Sequence, residues 1–263
     1  MILAVDVGNT TIGLAVVKGE RLKKTWMVKT ALNDKILRDE FKRTLGRLKK
    51  FTFSIEAVVI CSVVPQALTI ISPILEKIFQ QKPLVIGRDI KVPIKNLYRQ
   101  PSQVGQDRLV CAYAAMMLYG APAIVVDFGT AITFDVVSKK KEYLGGVIIP
   151  GLRLYAESLF EKTALLPKVE IQPPRELIGR DTKNSILSGV FYGYSALCNG
   201  VIRLITKQTK KKPIVVITGG YSGLIKRFIK SFDAIDKFLV FKGIALIYQT
   251  SLLSRNNHTR TSP

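Results

Sequence analysis

Two short stretches constrain this chain more than anything else in it. Asp6-Val7-Gly8-Asn9-Thr10 follows an apolar strand pattern at residues 2–5 and leads into another at 11–17. Asp127-Phe128-Gly129-Thr130-Ala131 does the same after residues 123–126. The two aspartates are 121 positions apart, close to half of the 263-residue chain. A strand–turn–strand unit repeated at that spacing predicts a duplicated α/β fold of two similar lobes. The boundary falls near 119–122, giving an N-terminal lobe over 1–119 and a C-terminal lobe over 120–253. Residues 254–263 are polar and are expected to be a disordered tail. Helical periodicity is read at 33–50, 68–80, 108–118, 152–163, 183–206, 223–231 and 243–253. Further buried strands are read at 57–63, 83–86, 134–137, 146–149 and 214–217.

The paired turns carry a chemical expectation. A strand that ends in Asp and turns through Gly sets a carboxylate beside backbone N–H groups. Glycine permits a positive φ and a close approach of ligand to backbone. Asn9, Thr10, Thr130 and Thr133 add short polar donors that suit phosphoryl oxygens, whereas a carboxylate needs a cation between itself and phosphate. One such stretch reads equally well as an ordinary tight turn. Two, each on a buried strand, favour a phosphate site.

Composition removes several alternatives. The one histidine, His258, sits in the polar C-terminal segment, which leaves no His-based triad or metal site. Cys61, Cys111 and Cys198 are far apart and form no C-x-x-C, so a structural zinc site is excluded and a reducing compartment is expected. Acid–base work then falls to carboxylates. No run reaches the roughly 18 apolar residues of a membrane span, and the N-terminus has no basic stretch ahead of its apolar residues. A cytoplasmic protein without a membrane association is expected. Forty Lys plus Arg against nineteen Asp plus Glu give a formal charge of +21. That charge attracts polyanions, but its short groups (Lys42, Arg43, Arg47, Lys49 and Lys50; 139–141; 210–212) lack interleaved aromatics. Specific nucleic-acid binding is therefore not expected.

Three further stretches join the pair. In Gly105-Gln106-Asp107-Arg108, Asp107 and Arg108 open a predicted helix. Arg108 could grip a carboxylate through its planar fork, and Asp107 could accept a hydroxyl proton during phosphoryl transfer. Alone, the two read as a helix cap and a solvated first-turn residue. Residues 145–151, Gly-Gly-Val-Ile-Ile-Pro-Gly, form a strand bounded by glycines. Thr218-Gly219-Gly220 follows the last buried strand, where bare backbone can rest against a nucleotide.

In this order and spacing, the residues resemble the type III pantothenate kinase family from residue 2 to about 250. The pieces are the two D-x-G motifs, G-x-D-R with Tyr98 nine residues before Asp107, the 145–151 stretch, Thr182 after Ile178-Gly179-Arg180, and Thr218-Gly219-Gly220. The resemblance implies an actin-like (ribonuclease H-like) ATPase fold with the active site in the cleft between lobes, and a homodimer. The implied reaction is ATP-dependent phosphorylation of pantothenate to 4'-phosphopantothenate, the first step of coenzyme A synthesis. Asp107 would be the general base, and Tyr98, Gly105, Arg108 and, across the dimer, Thr182 would bind pantothenate. Asp6, Gly8, Asn9, Thr10, Gly129, Thr130, Thr133, Thr218, Gly219 and Gly220 would bind ATP and its phosphates. Asp6 would serve Mg²⁺, and Asp127 the monovalent cation, K⁺ or ammonium. Many members carry Lys near position 13, where this chain has Gly13. The alternatives are a non-catalytic regulator resembling the Bvg accessory factor branch, or an actin-like kinase acting on another hydroxylated acid.

Overall fold

A computed structural model describes residues 1–30, 34–209 and 211–259. Position 33 of the first expected helix, Lys210 and positions 260–263 of the expected tail lie outside the described residues. The first half of the chain runs β1 (Ile2–Val7), β2 (Thr11–Lys18), β3 (Arg21–Lys29), α1 (Asp34–Gly46), β4 (Ala57–Ser62), α2 (Pro65–Phe79), β5 (Leu84–Val85), β6 (Lys95–Asn96) and α3 (Gln106–Leu118). The second runs β7 (Ala123–Phe128), β8 (Ala131–Val137), β9 (Glu142–Pro150), α4 (Leu152–Lys162), α5 (Thr182–Ser188), α6 (Tyr194–Gln208), β10 (Ile214–Thr218), α7 (Ser222–Ile225), β11 (Ala234–Ile235) and α8 (Leu239–Thr259).

The duplication is present in the strand order. The first sheet is ordered β3-β2-β1-β4-β5 and the second β11-β10-β7-β8-β9-β6. Read from β9 to β11, the second repeats the first, and β6 is an addition at its edge. The pairing senses agree as well. Two antiparallel neighbours (β1 with β2, β2 with β3; β7 with β8, β8 with β9) are followed by two parallel ones (β1 with β4, β4 with β5; β7 with β10, β10 with β11).

The division between units is not the one at 119. The first unit comprises Met1–Ile94, Gln100–Ala114 and the segment from Leu239; the second comprises Lys95–Arg99 and Ala115–Phe238. Residues 95–99 join the second unit because β6 pairs in parallel with β9. The final helix belongs with the first sheet, where small side chains leave it room. Ala4 and Ala15 face each other across β1 and β2. A Cβ at Gly13 would lie 2.6 Å from Phe241 Cζ of α8 and 3.2 Å from Met27 Sδ. Here the glycine clears space for α8, and a lysine at this position would have to displace Phe241. The helix also continues through 254–259, where a disordered tail was expected.

Each core follows from the strand alternation. In the first unit, Leu3, Val5, Val7, Ile12, Leu14 and Val16 meet Leu37 and Phe41 of α1 and Ile70, Ile71 and Leu75 of α2. Each of these side chains contributes about 1.5–3 kcal/mol on burial. In the second, Ile124, Val126, Phe128, Ile132 and Phe134 meet Leu152 of α4, Ile186 of α5 and Ile202 of α6. Helix 182–208 is not one regular helix, because a π-helical turn occupies 189–193. It is also long and apolar enough to cross a membrane, although no span was read from the sequence; half of that window is buried inside the fold.

Other differences are local. The strand β3 was missed because Arg21, Lys23, Lys24 and Lys29 point outward, and only Trp26 and Val28 betray the period of two. Charge on an outward edge face is how sheets avoid edge pairing. The helix expected at 223–231 is regular only over Ser222–Ile225.

In the first unit, α3 and α8 meet at Gly243, where a Cβ would lie 2.7 Å from both Val110 Cγ1 and the Val110 carbonyl oxygen. Helix propensity favours Ala over Gly by about 1 kcal/mol, whereas overpacking costs about 1–3 kcal/mol. Gly243→Ala is therefore expected to lower the urea unfolding midpoint. A midpoint that rises would show that the helices separate without cost.

Candidate active site

In each unit the parallel pairing brings the carboxyl ends of two central strands to the same edge, the usual ligand-facing edge of an α/β sheet. In the first unit Asp6 lies opposite Cys61, and Val7 opposite Ser62. The hairpin turn that follows is tied down by Gly8 N–H to Thr11 O at 3.0 Å and by Thr30, whose N–H and hydroxyl donate to Thr10 O and Gly8 O at 2.9 and 2.7 Å. Asn9 and Thr10 are left exposed at its tip.

Asp107 reaches the same edge from the first turn of α3. A Cβ on Gly105 would press against Asp107 Oδ1 and lie 3.5 Å from Val63 Cγ1, just past the end of β4. Arg108 N–H donates to Asp107 Oδ1 at 2.8 Å and fixes the carboxylate's orientation. Burial raises the Asp107 carboxyl above its ordinary value, against the opposing pull of the Arg108 N–H and guanidinium. Burial also pushes the Cys61 thiol well up, and the Asp6 and Asp107 carboxylates add to the effect. Asp6 and Asp107 thus both lie close enough to the buried Cys61 thiol to disfavour its ionisation.

In the second unit Asp127 lies opposite Thr133 on one side and Thr218 on the other. The glycine after Thr218 is held very close to the D-x-G turn. Gly219 has φ +93, and a Cβ there would collide with Asp127 Oδ1 and lie 2.7 Å from the Phe128 backbone. Tyr221 N–H donates to Phe128 O at 3.2 Å, and the Ser222 hydroxyl donates to Gly219 O at 2.7 Å. Neither Tyr221 nor Ser222 stood out in the sequence. Gly151 closes the other flank: its N–H donates to Thr130 O at 3.0 Å, and a Cβ would lie 2.8 Å from the Thr130 carbonyl carbon.

Two expectations about these turns change. Gly8 and Gly129 do not take positive φ. A Cβ on Gly8 would lie a tight 3.3 Å from Thr11 O, whereas one on Gly129 would meet Ala131 O at 3.4 Å, close to ordinary contact distance. Thr133, read as a donor toward phosphate, gives its hydroxyl proton to Asp135 Oδ2 at 2.8 Å.

Three further residues singled out in the sequence lie in the second unit. Tyr98 is half-buried with its ring over Gly145, which has φ +117 and where a Cβ would lie 3.2 Å from the ring. Thr182 is exposed at the start of α5, after Asp181, whose side chain caps the helix by accepting from Asn184 N–H at 2.7 Å. Gly220 is exposed with open space where a side chain would be. Among the described residues no three His, Cys, Asp or Glu side chains gather to cage a metal. A Mg²⁺ ion carried on nucleotide phosphates needs only one or two carboxylates, so Asp6 at its strand end fits that mode.

Two measurements probe this geometry. Gly219→Ala meets both a left-handed φ and a backbone collision, so a loss of at least about 1–2 kcal/mol is expected from the conformation alone. A thermal melt checks it, and an unshifted midpoint would contradict the contact. Asp107→Asn tests burial: a raised folded-state pKa means that ionised Asp107 costs stability as pH rises through that value. The variant should melt above the wild type at pH 7, and the gain should vanish below about pH 3.9, where the carboxyl is protonated in both folded and unfolded chains.

Comparison with known proteins bears on the family and the fold. The family model described as type III pantothenate kinase matches residues 2–204. The type III pantothenate kinase of Syntrophus aciditrophicus (strain SB) is 39% identical over 253 residues, covering 95% of this chain and 99% of the relative. That of Halalkalibacterium halodurans is 40% identical over 256 residues, covering 96% and 100%. Among solved structures, a conserved putative Baf family transcriptional activator from Campylobacter jejuni superposes with TM-score 0.59 at 21% identity, over 95% of this chain and 98% of that one. Component A of the Acidaminococcus fermentans (R)-2-hydroxyglutaryl-CoA dehydratase does so with TM-score 0.54 at 13% identity, over 94% and 96%. The structural likenesses speak to the fold, which is the duplicated actin-like one. With its motifs in order and its identity to these relatives sustained along the chain, the protein belongs to the type III pantothenate kinase family.

Proposed function

We propose that this protein transfers the terminal phosphoryl group of ATP to the primary hydroxyl of pantothenate, with Asp107 as the general base. Family membership carries the reaction, and coenzyme A biosynthesis is its setting. The observation that supports Asp107 is its position: a half-buried carboxyl at the head of α3, oriented by the Arg108 N–H and with its basicity raised by burial. A carboxylate of raised pKa is a stronger base than an exposed one, provided it is ionised at the working pH.

The other roles follow from donor and acceptor chemistry. The Arg108 guanidinium pairs with the pantothenate carboxylate in a two-pronged geometry that lysine cannot supply. Tyr98 lines the same substrate's site, as does Thr182 of the partner subunit in a homodimer. Backbone N–H groups of the two D-x-G turns and of 218–220, with the side chains of Asn9, Thr10 and Thr130, serve the nucleotide. Bound ATP supplies the phosphoryl group; Mg²⁺ held by Asp6 and a monovalent cation, K⁺ or ammonium, held by Asp127 would offset the charge it carries. Positioning and charge compensation do most of the catalysis in such transfers. The reaction is assigned to the cytoplasm, where both substrates are soluble anions.

The test is a coupled assay of pantothenate-dependent ATP turnover across pH. Removing a general base typically costs about 10²–10⁴-fold, so Asp107→Asn should lose turnover on that scale. Wild-type kcat should also show an acidic limb displaced upward from the ordinary carboxylate range, and the variant should lack it. A variant with normal turnover and an unchanged pH profile would end the base assignment.

A further inference from the structure

The duplicated hairpins differ at a place that the motifs do not cover. In the first unit the residue opposite Asp6 is Gly13, and the next one along that face of β2 is Ala15. In the second unit the corresponding positions hold Thr133, opposite Asp127, and Asp135, opposite Val125. Gly13 and Ala15 are buried beneath α8, whereas in the second unit Thr133 is partly exposed and Asp135 is 1% exposed.

Two hydroxyls donate to this buried carboxylate. Thr133 Oγ1 donates to Oδ2 at 2.8 Å and Tyr143 Oη to Oδ1 at 2.8 Å. Tyr143 is itself fully buried, and a bulge at Val136/Val137 brings it opposite Val137, on the Asp135 face. One O–H donor on each oxygen is an arrangement suited to an ionised carboxyl. A hydroxyl has a single hydrogen. Thr133 has committed its own to Asp135, so it presents only lone pairs to anything else.

That matters because phosphoryl oxygens are acceptors and require donors. Side chains directly opposite in an antiparallel pair share a face, with Cβ atoms about 4.5–5.5 Å apart. The Asp127–Thr133 row therefore offers oxygens that accept and do not donate, the donor set of a hard cation. We infer that Asp135 is a positioning residue: by holding the Thr133 proton it turns that hydroxyl into an acceptor beside Asp127, so that Thr133 helps hold the monovalent cation and not the phosphates of ATP. The cation's identity rests on the kinase reading above.

The experiment uses full-length protein, wild type and the variants Thr133→Val, Thr133→Ser and Asp135→Asn. One readout is the melting midpoint titrated with KCl against choline chloride at fixed ionic strength, without substrates. The other is the half-saturating K⁺ for turnover, compared with KM for ATP. Wild type and Thr133→Ser should show a saturable, K⁺-specific rise in melting midpoint, and Thr133→Val and Asp135→Asn should lose it. In the last two, half-saturating K⁺ should rise about 10–100-fold, the usual cost of losing a ligand's supporting partner, with KM for ATP little changed. A double variant should be no worse than either single one.

A wild type without a K⁺-specific rise overturns the inference. So does a Thr133→Val protein that keeps the K⁺ response, or one that raises KM for ATP while half-saturating K⁺ stays put. Should Asp135→Asn fail to fold, the Thr133 pair decides. A wild type that responds to K⁺ but makes no phosphorylated pantothenate sinks the kinase reading and leaves this inference standing.

Discussion

Parallel pairing of β1 with β4, and of β7 with β10, is the constraint on which both units depend. Parallel neighbours end at the same edge, so whatever follows each strand is delivered to one place. In the first unit this sets Asp6 across from Cys61 and brings the head of α3, with Asp107, to the end of β4. In the second it sets Asp127 across from Thr218 and forces the next residue against the D-x-G turn. Antiparallel β2 and β8 then return from that edge, which is why the turns are short and the carboxylates stand at strand ends. The turns carry residues assigned to the proposed chemistry, and the sheets give the turns their fixed positions.

The same scaffold has been filled differently in its two copies. In the first, small residues on one face (Ala4, Gly13, Ala15) make room for α8, and Phe241 fills the space opposite Asp6. In the second, Thr133, Asp135 and Tyr143 occupy the matching region as a hydrogen-bonded set. A buried carboxylate is costly unless its oxygens are satisfied, and here two hydroxyls satisfy them. Duplication explains the shared topology. The differing side chains give each copy its own task.

Much of this was legible from residue order alone. The two D-x-G turns, the strands around them and the G-x-D-R head of a helix are local signals, written in neighbouring residues. The strand β3 was not, because its edge position allows charges that hide the alternation. The place of α8 was not legible either, since nothing in its own residues says which sheet it covers; Gly13 and Gly243 carry that information only once their neighbours are known. Asp135 was missed for a related reason. Its role depends on Tyr143, which a bulge shifts by one residue, and sequence spacing gives no warning of a bulge. The high positive charge is conspicuous in composition, whereas the groups assigned to the proposed reaction are mainly a few aspartates and glycines.

The most direct test of the account is to incubate the purified protein with pantothenate, ATP, Mg²⁺ and K⁺ and to identify the product by mass and by phosphorus NMR. The expected product is pantothenate heavier by one phosphoryl group, attached at its primary hydroxyl, with one ATP consumed per product formed. Consumption of ATP without phosphorylated pantothenate, or no consumption with or without K⁺, would contradict it.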